Sequence, residues 1–357
     1  MIKIRLGIIG LHNHYHAYPF AKYLKQGIPE IEFVSVSDER KNFAEEFAKE
    51  FNAKSSYKDY LQMLDNETLD AVIITSYTSV HAEQVEECAK RKIHILLDKP
   101  ISTTLEDAQR IVNAVKGNGV ILLMAYLLRF LPPYLKMKEL VDQGVIGKLT
   151  SAIYSIRIPA FFIKDSPNAD NLGWYADPVK GGGGGFIDHG VHFTDWARWF
   201  FGKNAVDVNG RIASLNYTYL PVEDYGIATY RMEDGAIVTI ESTWHAAEWY
   251  GPMTSPDRCT LTGTEGEIEF HYQKTPQIEI SSRKEPYKGR VYFDWTGEDR
   301  YEICYRNLLV ELADAIKKNR SPHPDATDGL KALEMVLGAY KSDKLNETVK
   351  LPLEKGK

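Results

Sequence analysis

The feature that most constrains this chain is the regular alternation of short apolar runs and helical stretches over its first 125 residues. Apolar runs at Ile2–Ile9, Ile31–Ser37 and Leu69–Thr75 predict buried strands, and each is followed by a stretch with apolar residues at helical spacing. This alternation is typical of a parallel sheet that helices cover on both faces. We therefore predict an α/β fold whose first domain, residues 1–127, contains a doubly wound parallel sheet.

Beyond Arg129 the pattern changes to longer strands in which polar and apolar residues alternate. Turn sequences such as Glu233–Gly235 and Thr264–Gly266 separate these strands, as expected for hairpins of an antiparallel sheet. Two helical stretches close the chain, Glu302–Lys318 and Asp328–Ser342. Residues 128–357 are therefore predicted to form a second, C-terminal α/β domain with a mostly antiparallel sheet.

Composition argues against several classes of protein. The net charge of −6 shows no basic excess, which argues against a nucleic-acid-binding protein. The longest apolar run, Val120–Leu128, is too short for a membrane span, and the first ten residues predict no signal peptide. The cysteines Cys88, Cys259 and Cys304 are scattered and predict neither a disulfide framework nor a metal site. We therefore expect a cytoplasmic protein without membrane or nucleic-acid partners.

The end of the first predicted strand has the features of a dinucleotide-binding turn. Gly7 and Gly10 lead directly into a helix, whose N-terminal N–H groups and dipole favour a pyrophosphate. A full GxGxxG fingerprint from Gly10 would need glycine where His12 and Tyr15 stand. Asp38 ends the second strand, where its carboxylate can bind an adenosine ribose or simply cap the next helix. The first domain is thus predicted to be a Rossmann-type, dinucleotide-binding domain.

The residues after the second strand favour NAD over NADP as the cofactor. Asp38 and Glu39 would repel a 2′-phosphate, and Asp38 can bind the free ribose diol. Arg40 works in the opposite direction, because arginine is a good phosphate ligand.

Three alternating histidines, His12, His14 and His16, follow the first strand and allow three interpretations. They could begin a metal site of a hydrolase, contact a phosphate, or lie on the surface. A metal site would need partners at later strand ends, and the only histidine of a later strand in this domain, His94, lies in mid-strand. We therefore predict no metal.

The densest group of chemically active residues follows five consecutive glycines, Gly181–Gly185. If the chain is helical from Phe186 onward, Asp188, His192 and Asp195 lie at i, i+4 and i+7 on one face. An imidazole flanked by carboxylates can act as a general base near neutral pH. The alternative is a glycine loop before an ordinary helix with a surface His–Asp pair.

Seven segments together resemble one known family. They are the strand and turn at Gly7–Gly10, Asp70–His81, Leu97-Asp98-Lys99-Pro100, Arg129-Phe130-Leu131-Pro132, Leu140–Gly147, the glycine run with Asp188, His192 and Asp195, and Gly263–Gly266. In this order they resemble the motifs of the glucose–fructose oxidoreductase / inositol dehydrogenase / rhizopine-catabolism (Gfo/Idh/MocA) family. Its members join an N-terminal Rossmann domain to a C-terminal α/β domain with an open, mostly antiparallel sheet. They oxidise or reduce a carbinol carbon of sugars, inositols or related polyols with NAD(P).

The resemblance implies roles for individual residues. Lys99 would lie beside the nicotinamide and the reacting oxygen, and its ammonium group would stabilise the developing alkoxide. His192 would be the acid/base, and Asp188 would orient the substrate or the imidazole. The alternative for Lys99 is a surface lysine before a proline turn. Asp98 stands where the family has glutamate, which shortens the side chain but keeps the carboxylate.

Larger sets of residues are predicted for the two ligands. The cofactor-binding set is Gly10, Leu11, His12, Asn13, Asp38, Arg40, Ser76, Thr78, His81, Asp98, Lys99 and Arg129. The substrate-binding set is Asp195, Tyr126, Arg157 and Trp174, with Tyr175, Trp244 and His245 as further pocket residues. Aromatic faces suit the C–H surface of a sugar ring and arginine suits a hydroxyl, although each of these residues could equally serve core packing.

The second domain is predicted to serve substrate binding and oligomerisation. An open sheet leaves one face without its own helices, and such a face usually finds a partner. We therefore expect a homodimer or homotetramer that is an NAD-dependent polyol or sugar dehydrogenase. Three alternatives remain at this point: an NAD-using glycosidase, a non-catalytic regulator that binds a nucleotide or a sugar, and a metal-dependent hydrolase.

Overall fold

The computed structural model describes residues 3–158, 173–244, 258–272, 275–295 and 302–354. The chain divides into two compact units, each drawn from separate parts of the sequence. The first unit comprises Met1–Leu127, Val179–Gly182 and Glu302–Leu330, and the second comprises Leu128–Pro178, Gly183–Tyr301 and Lys331–Lys357. The sequence predicts contiguous domains at 1–127 and 128–357, whereas both units are discontinuous in sequence. The assignment of nucleotide and substrate binding to these two domains stays a prediction.

The first unit contains a six-stranded parallel sheet among its described residues. Its strands are β1 (Ile4–Ile9), β2 (Ile31–Ser37), β3 (Ser55–Tyr57), β4 (Ala71–Ile74), β5 (His94–Leu97) and β6 (Leu122–Met124). They lie in the order β3-β2-β1-β4-β5-β6, and all pairs are parallel. The order reverses between β1 and β4, and doubly wound sheets bind ligands at such a switch point, beyond the carboxyl ends of the strands. The predicted Rossmann-type sheet is confirmed.

Helices connect the strands of this sheet. They are α1 (His14–Gln26), α2 (Lys41–Phe51), α3 (Tyr60–Asn66), α4 (His81–Lys90) and α5 (Leu105–Asn118). Thr104 precedes α5, and its side chain accepts a hydrogen bond from the N–H of Asp107 at 3.1 Å, which caps the helix. Most residues of β1, β2, β4, β5 and β6 are buried, as expected for strands with helices on both faces.

The second unit contains a nine-stranded, mostly antiparallel sheet among its described residues. Its strands are β7 (Leu149–Arg157), β8 (Ala205–Ala213), β9 (Tyr225–Met232), β10 (Ile237–Thr243), β11 (Arg258–Gly263), β12 (Gly266–His271), β13 (Ile278–Ser282), β14 (Gly289–Phe293) and β15 (Val349–Lys350). They lie in the order β14-β13-β12-β11-β7-β10-β9-β8-β15, in which only β7 and β10 are paired in parallel. The predicted α/β fold with a mostly antiparallel second sheet is confirmed.

The remaining helices are α6 (Pro132–Asp142), α7 (Gly185–Phe201), α8 (Ile303–Lys318) and α9 (Ala326–Leu345). Helix α7 packs on one face of the second sheet, where the ring of Tyr154 on β7 stacks on Phe193 at 3.6 Å between centroids. Because side chains alternate along a strand, Ile153 points to the other face, and 62% of its surface is exposed. This sheet therefore has a core face against α7 and an open face.

None of the helices in these described ranges is long and apolar enough to span a lipid bilayer.

Candidate functional site

The turn after β1 can accommodate only glycine at position 10. Gly10 has a φ of +73°, and a Cβ atom there would lie 2.6 Å from the Cβ of Ser76. Its N–H donates to the carbonyl of Ser37 at 2.8 Å, and the hydroxyl of Thr75 donates to its carbonyl at 2.5 Å. The backbone is thus held against the ends of β2 and β4, with the N-terminus of α1 four residues further along the chain. A turn of this kind suits a pyrophosphate.

Asp38, at the end of β2, is buried and bound from two sides. Its carboxylate accepts from the N–H of Leu11 at 2.8 Å and from Nε and Nη2 of Arg40 at 2.7 and 2.9 Å. Burial alone would raise the pKa of Asp38, but the hydrogen bonds from Arg40 and Leu11 hold it below the ordinary value. Arg40 therefore covers both oxygens that the sequence assigns to the ribose.

The three histidines of this region have three different environments. The ring of His12 lies tilted against that of Tyr77 at 3.7 Å between centroids, and its Nε2 lies 3.4 Å from Oε1 of Glu39. Burial lowers the pKa of His12. His14 is exposed, and its ring lies beside that of Tyr15 at 4.0 Å. In the described part of the chain, no three histidine, cysteine or acidic side chains are grouped so that they could hold a metal ion.

The third histidine, His16, contacts Asp98, a buried carboxylate that accepts several hydrogen bonds. The Asp98 carboxylate accepts from Nδ2 of Asn13 at 2.5 Å, Nδ1 of His16 at 2.6 Å and the N–H of Lys99 at 2.8 Å. Burial would raise the pKa of Asp98, but the positive charges and hydrogen bond around it hold its pKa below the ordinary value. Asp98 is therefore a buried anion that contacts the backbone N–H of Lys99.

Lys99 is bracketed on its other side by His81. Nδ1 of His81 lies 3.0 Å from the carbonyl of Pro100 and 3.3 Å from that of Ile101, and carbonyls only accept, so this nitrogen carries the hydrogen. Burial lowers the pKa of His81, which keeps the ring neutral. Lys99 itself is 4% exposed. The backbone that carries this lysine is fixed before and after it.

The residues at this edge of the first sheet fit a dinucleotide. Besides the glycine turn, two buried polar atoms, Oδ1 of Asn13 and Oγ1 of Thr78, have no hydrogen-bond partner within the described ranges. Buried polar atoms that lack a partner cost free energy unless a ligand or water binds them. Of the other predicted contacts, the Ser76 hydroxyl donates to Gln84. The predicted cofactor contacts of these residues stay predictions.

In the second unit, the glycine run leads into α7 through a passage with no room for side chains. A Cβ atom on Gly184 would lie 2.0 Å from the carbonyl oxygen of Glu223, and one on Gly183 would lie 2.6 Å from the hydroxyl of Tyr340. The Glu223 carboxylate accepts from the N–H of Gly184 at 2.8 Å, the N–H of Phe186 at 3.0 Å and the Tyr340 hydroxyl at 2.5 Å. The buried carboxylate therefore holds the N-terminus of α7, where the helix dipole favours an anion.

The roles of Glu223 and Tyr340 were not predicted from the sequence. Glu223 lies 39 residues from Gly184 and Tyr340 lies 117 residues from Glu223, so no local spacing indicates these contacts. Burial raises the pKa of Glu223, although its hydrogen bonds act in the opposite direction.

The predicted face of α7 is formed, but each carboxylate on it has its own partner. Asp188 lies 3.0 Å from Nδ1 of His189 and accepts from Nε1 of Trp244 at 3.2 Å. His192 is buried, with its ring 6.4 Å from that of His189. His189 was not predicted as a candidate site residue, although its position next to Asp188 in the sequence could have indicated a contact between the two side chains. The face thus carries two imidazoles beside an oriented carboxylate.

Asp195, on the same helix, binds Arg129. Nε and Nη2 of Arg129 donate to its two oxygens at 2.8 and 2.6 Å, and Asp195 is buried while Arg129 is partly buried. The sequence assigns Arg129 to the cofactor and Asp195 to the substrate, whereas the structure joins them in a bidentate ion pair, the strongest arrangement these groups can make. Their contacts with the two ligands stay predictions.

The remaining predicted substrate residues are dispersed. Tyr126 is fully buried, and Trp174 stacks on Tyr175 at 4.1 Å between centroids. Arg157 pairs with Glu241 at 3.1 Å on the open face of the second sheet, opposite to the face that α7 covers, so its position gives no support to a substrate contact. Trp244 packs with Ala176, Leu220 and Val222, and His245 lies outside the described residues.

Comparison with known proteins gives consistent matches along the chain. The family model for the NAD-binding Rossmann fold of an oxidoreductase family matches residues 4–126, and that for the GFO/IDH/MocA C-terminal domain matches residues 134–269. The chain is 28% identical over 360 residues to the scyllo-inositol 2-dehydrogenase (NAD(+)) of Bacillus subtilis, covering 99% of this chain and 98% of that protein. It is 26% identical over 351 residues to the myo-inositol 2-dehydrogenase of Thermotoga maritima, covering 98% of each. The crystal structure of myo-inositol 2-dehydrogenase from Lactobacillus plantarum has the same fold, with a TM-score of 0.82 and 20% identity over 98% of this chain and 99% of that one.

Proposed function

Because this chain belongs to the Gfo/Idh/MocA oxidoreductase family, we propose that it transfers a hydride between a nicotinamide and a carbinol or carbonyl carbon of an inositol, sugar or related polyol. It is an NAD(P)-dependent dehydrogenase with a Rossmann domain and NAD as its cofactor. The similarity to the inositol 2-dehydrogenases of Bacillus subtilis and Thermotoga maritima favours a cyclic polyol as the substrate of this chain.

The first unit supplies the groups that we assign to the cofactor. The glycine turn at Gly10 and the N-terminus of α1 would hold the pyrophosphate, and Asn13 and Thr78 would contribute their buried oxygens. NAD, when bound, accepts the hydride in the oxidation direction. Asp98 and His81 hold the backbone around Lys99, which fixes the point from which its side chain extends.

The second unit supplies the base. Removal of hydride from a secondary alcohol requires the hydroxyl proton to leave, and we assign the imidazole of His192 to accept this proton. The oxygen gains negative charge as the C–H bond breaks, and we assign Lys99 to stabilise that charge. Asp188 orients the substrate or an imidazole, with Trp244 fixing its carboxylate. Tyr126 and Trp174 are proposed substrate contacts, and Asp195 with Arg129 braces α7.

The observation that carries this proposal is the buried ionic arrangement of Asp98 directly behind Lys99, which a surface lysine would not need. The test is an assay of the purified protein with NAD and a set of inositols, aldoses and sugar alcohols, read as the absorbance of the reduced nicotinamide. Reduction of NAD by at least one polyol is expected. Cleavage of a nitrophenyl glycoside without reduction of NAD by any polyol would instead favour the glycosidase.

NAD is proposed to bind more tightly than NADP. Asp38 is positioned for the ribose diol through its bond to Leu11, although Arg40 must share or release its oxygens. Fluorescence titration with each reduced coenzyme tests this choice, and tighter binding of NADPH than of NADH would contradict it.

The open face of the second sheet is proposed to join copies of this chain into a dimer or tetramer. One row across the sheet, from Tyr292 on β14 through Ile153 on β7 to Asn209 on β8, places exposed side chains on this face, where no described helix covers them. Light scattering should give a multiple of 40.6 kDa for the wild type and a lower mass for Ile153→Arg. A monomeric wild type at micromolar concentration would contradict the proposal.

Three buried, free cysteines fit a reducing compartment, and we propose the cytoplasm.

A further inference from the structure

We propose that His16 is a positioning residue for hydride transfer, which aligns the Asp98 carboxylate and through it the backbone of Lys99 and the amide of Asn13. The inference rests on the proposed function, because the lysine that His16 serves is the one assigned to that reaction. It also separates His16 from the two other histidines of the same segment.

The geometry fixes the direction of the hydrogen bond between the two side chains. Nδ1 of His16 lies 2.6 Å from Oδ1 of Asp98, and the aspartate is only 1% exposed. An ionised carboxylate only accepts hydrogen bonds, so Nδ1 must carry the hydrogen. Charge-assisted bonds of this length are about twice as strong as neutral ones. His16 is therefore a strong donor to an anion that has little access to water.

The same carboxylate oxygen couples His16 to the lysine. Oδ1 of Asp98 accepts from both Nδ1 of His16 and the N–H of Lys99, the latter at 2.8 Å. Rotation of the carboxylate about its terminal bond would break both contacts together. The His16 bond therefore holds the oxygen that holds the backbone of Lys99.

The second oxygen couples His16 to the cofactor turn. Oδ2 of Asp98 accepts from Nδ2 of Asn13, which leaves Oδ1 of Asn13 as a buried acceptor with no partner among the described side chains and backbone. The amide can therefore have only one orientation, with its oxygen free for a donor. Since the Asn13 N–H also donates to the carbonyl of Thr75 at 2.9 Å, this residue is fixed at both ends beside the glycine turn.

His16 is itself immobilised by its surroundings in the first unit. It is 8% exposed on the buried side of α1, and its ring meets the ring of Tyr305, on α8, edge to face at 5.6 Å between centroids. Nearby Phe20 packs on the same tyrosine at 4.9 Å. The imidazole thus enters a preformed slot, so little ordering is left to be done when ligands bind.

The experiment compares three variants of the full chain. His16→Leu fills the slot but removes the donor, and His16→Asn restores a donor close to the place of Nδ1. Gln26→Ala is the control, because Gln26 lies at the opposite end of the same helix and is exposed. NADH affinity is measured by fluorescence titration, and kcat and KM are measured with the best polyol below the melting midpoint of every variant.

For His16→Leu we expect kcat to fall about tenfold or more, because small misplacements of a charged group carry large penalties in rate. NADH affinity should fall several-fold through Asn13, and KM for the polyol should stay within about twofold, because the groups that His16 positions through Asp98 are the ones assigned to the cofactor and the reacting oxygen. His16→Asn should recover most of both losses, and Gln26→Ala should resemble the wild type.

Two results would overturn the proposal. One is a His16→Leu protein with kcat and NADH affinity within about twofold of the wild type. The other is a His16→Asn protein as impaired as His16→Leu, which would show that the ring only fills space. The NADH titration requires no turnover, so a wild type that binds NADH but oxidises no polyol contradicts the proposed function alone. A wild type that does not bind NADH contradicts both.

Discussion

The two units position their reactive groups in different ways. In the first unit, the groups lie where parallel strands end, and two buried carboxylates, Asp38 and Asp98, are bound mainly by side chains and N–H groups of the adjoining turns. In the second unit, His192 and Asp188 lie on one helix, and that helix is fixed at its N-terminus by the single buried carboxylate of Glu223.

The carboxylates of the two units differ in the groups around them and in the direction in which their pKa values are shifted. Asp38 and Asp98 face cationic partners, which hold their pKa values below the ordinary range. Among the described residues, Glu223 accepts hydrogen bonds from N–H groups and a hydroxyl, and burial raises its pKa. Under the proposed function, the buried carboxylates of the first unit stabilise charged groups that serve the cofactor, whereas Glu223 in the second unit holds the backbone of the helix that carries the proposed base. Substitutions in each unit should fail in different ways.

The largest effect on turnover is expected from the two assigned reactive residues. Lys99→Ala and His192→Ala should each lower kcat by about 10²-fold or more, because one removes the stabilising charge and the other the base. NADH binding separates them, since His192→Ala should leave it intact and Lys99→Ala should weaken it. Activity that survives both changes but is lost in His12→Ala would contradict the dehydrogenase assignment and favour a metal site.

The next effect is on stability and belongs to the second unit. Gly184→Ala places a methyl group 2.0 Å from a backbone oxygen, and overpacking of this kind should cost about 3 kcal/mol of unfolding free energy. Gly117→Ala, in α5, is the control, because a Cβ atom there meets nothing within 4 Å and should stabilise the helix slightly. Denaturant unfolding of both variants measures the difference in unfolding free energy. Equal unfolding midpoints of the two variants would contradict the absence of space for a side chain at Gly184.

The pH dependence of stability should have opposite signs in the two regions. The contribution of Asp98 is present above its ordinary pKa of 3.8 and is lost as the pH falls through its lowered folded value. Glu223 has a raised folded pKa, so its contribution is greatest below 4.5 and is lost as the pH rises through that folded value.

Unfolding free energies measured at a series of pH values for Asp98→Asn, Glu223→Gln and the wild type test these signs. The deficit of Asp98→Asn should shrink toward acid, and that of Glu223→Gln should shrink as the pH rises. The same trend in both variants would remove the distinction between the two regions.

The smallest effect is expected at the altered glycine fingerprint. His12→Ala should change NADH affinity by only a few-fold and leave kcat nearly unaltered, because its ring lies against Tyr77 and its Nε2 lies 3.4 Å from Glu39, neither of which is assigned to the reaction. Titration with NADH measures this change. A loss of affinity as large as that of Lys99→Ala would give His12 a central place in cofactor binding.

The sequence predicted the first sheet well because its signal is local. Apolar runs, glycines and acidic strand ends mark Gly10, Asp38 and Asp98 without reference to distant residues. The predicted α7 face was also correct, since helical spacing alone brings Asp188, His192 and Asp195 together. Short, half-buried strands such as β3 and the exposed β14 were missed, because they carry no sustained apolar run.

What the sequence could not give was the pairing of distant side chains. His16 and Asp98 are 82 residues apart, and Arg129 and Asp195 are 66 apart, so nothing in a local pattern predicts either contact. The prediction of Arg157 as a substrate contact has a related cause, because its sequence does not show which side chain it pairs with or on which face of the sheet. The alternation of side chains along β7 and the register with β10 place it beside Glu241 on the open face.

The most direct test of the central claim follows the transferred hydrogen itself. The enzyme is given NAD and its best polyol, labelled with deuterium at the carbinol carbon, and the reduced coenzyme is analysed by mass spectrometry. We predict one deuterium in the reduced nicotinamide of the wild type, formed about 10²-fold or more slowly by Lys99→Ala and His192→Ala. Reduced coenzyme without deuterium, or label lost to water instead, would contradict direct hydride transfer between the polyol and the nicotinamide.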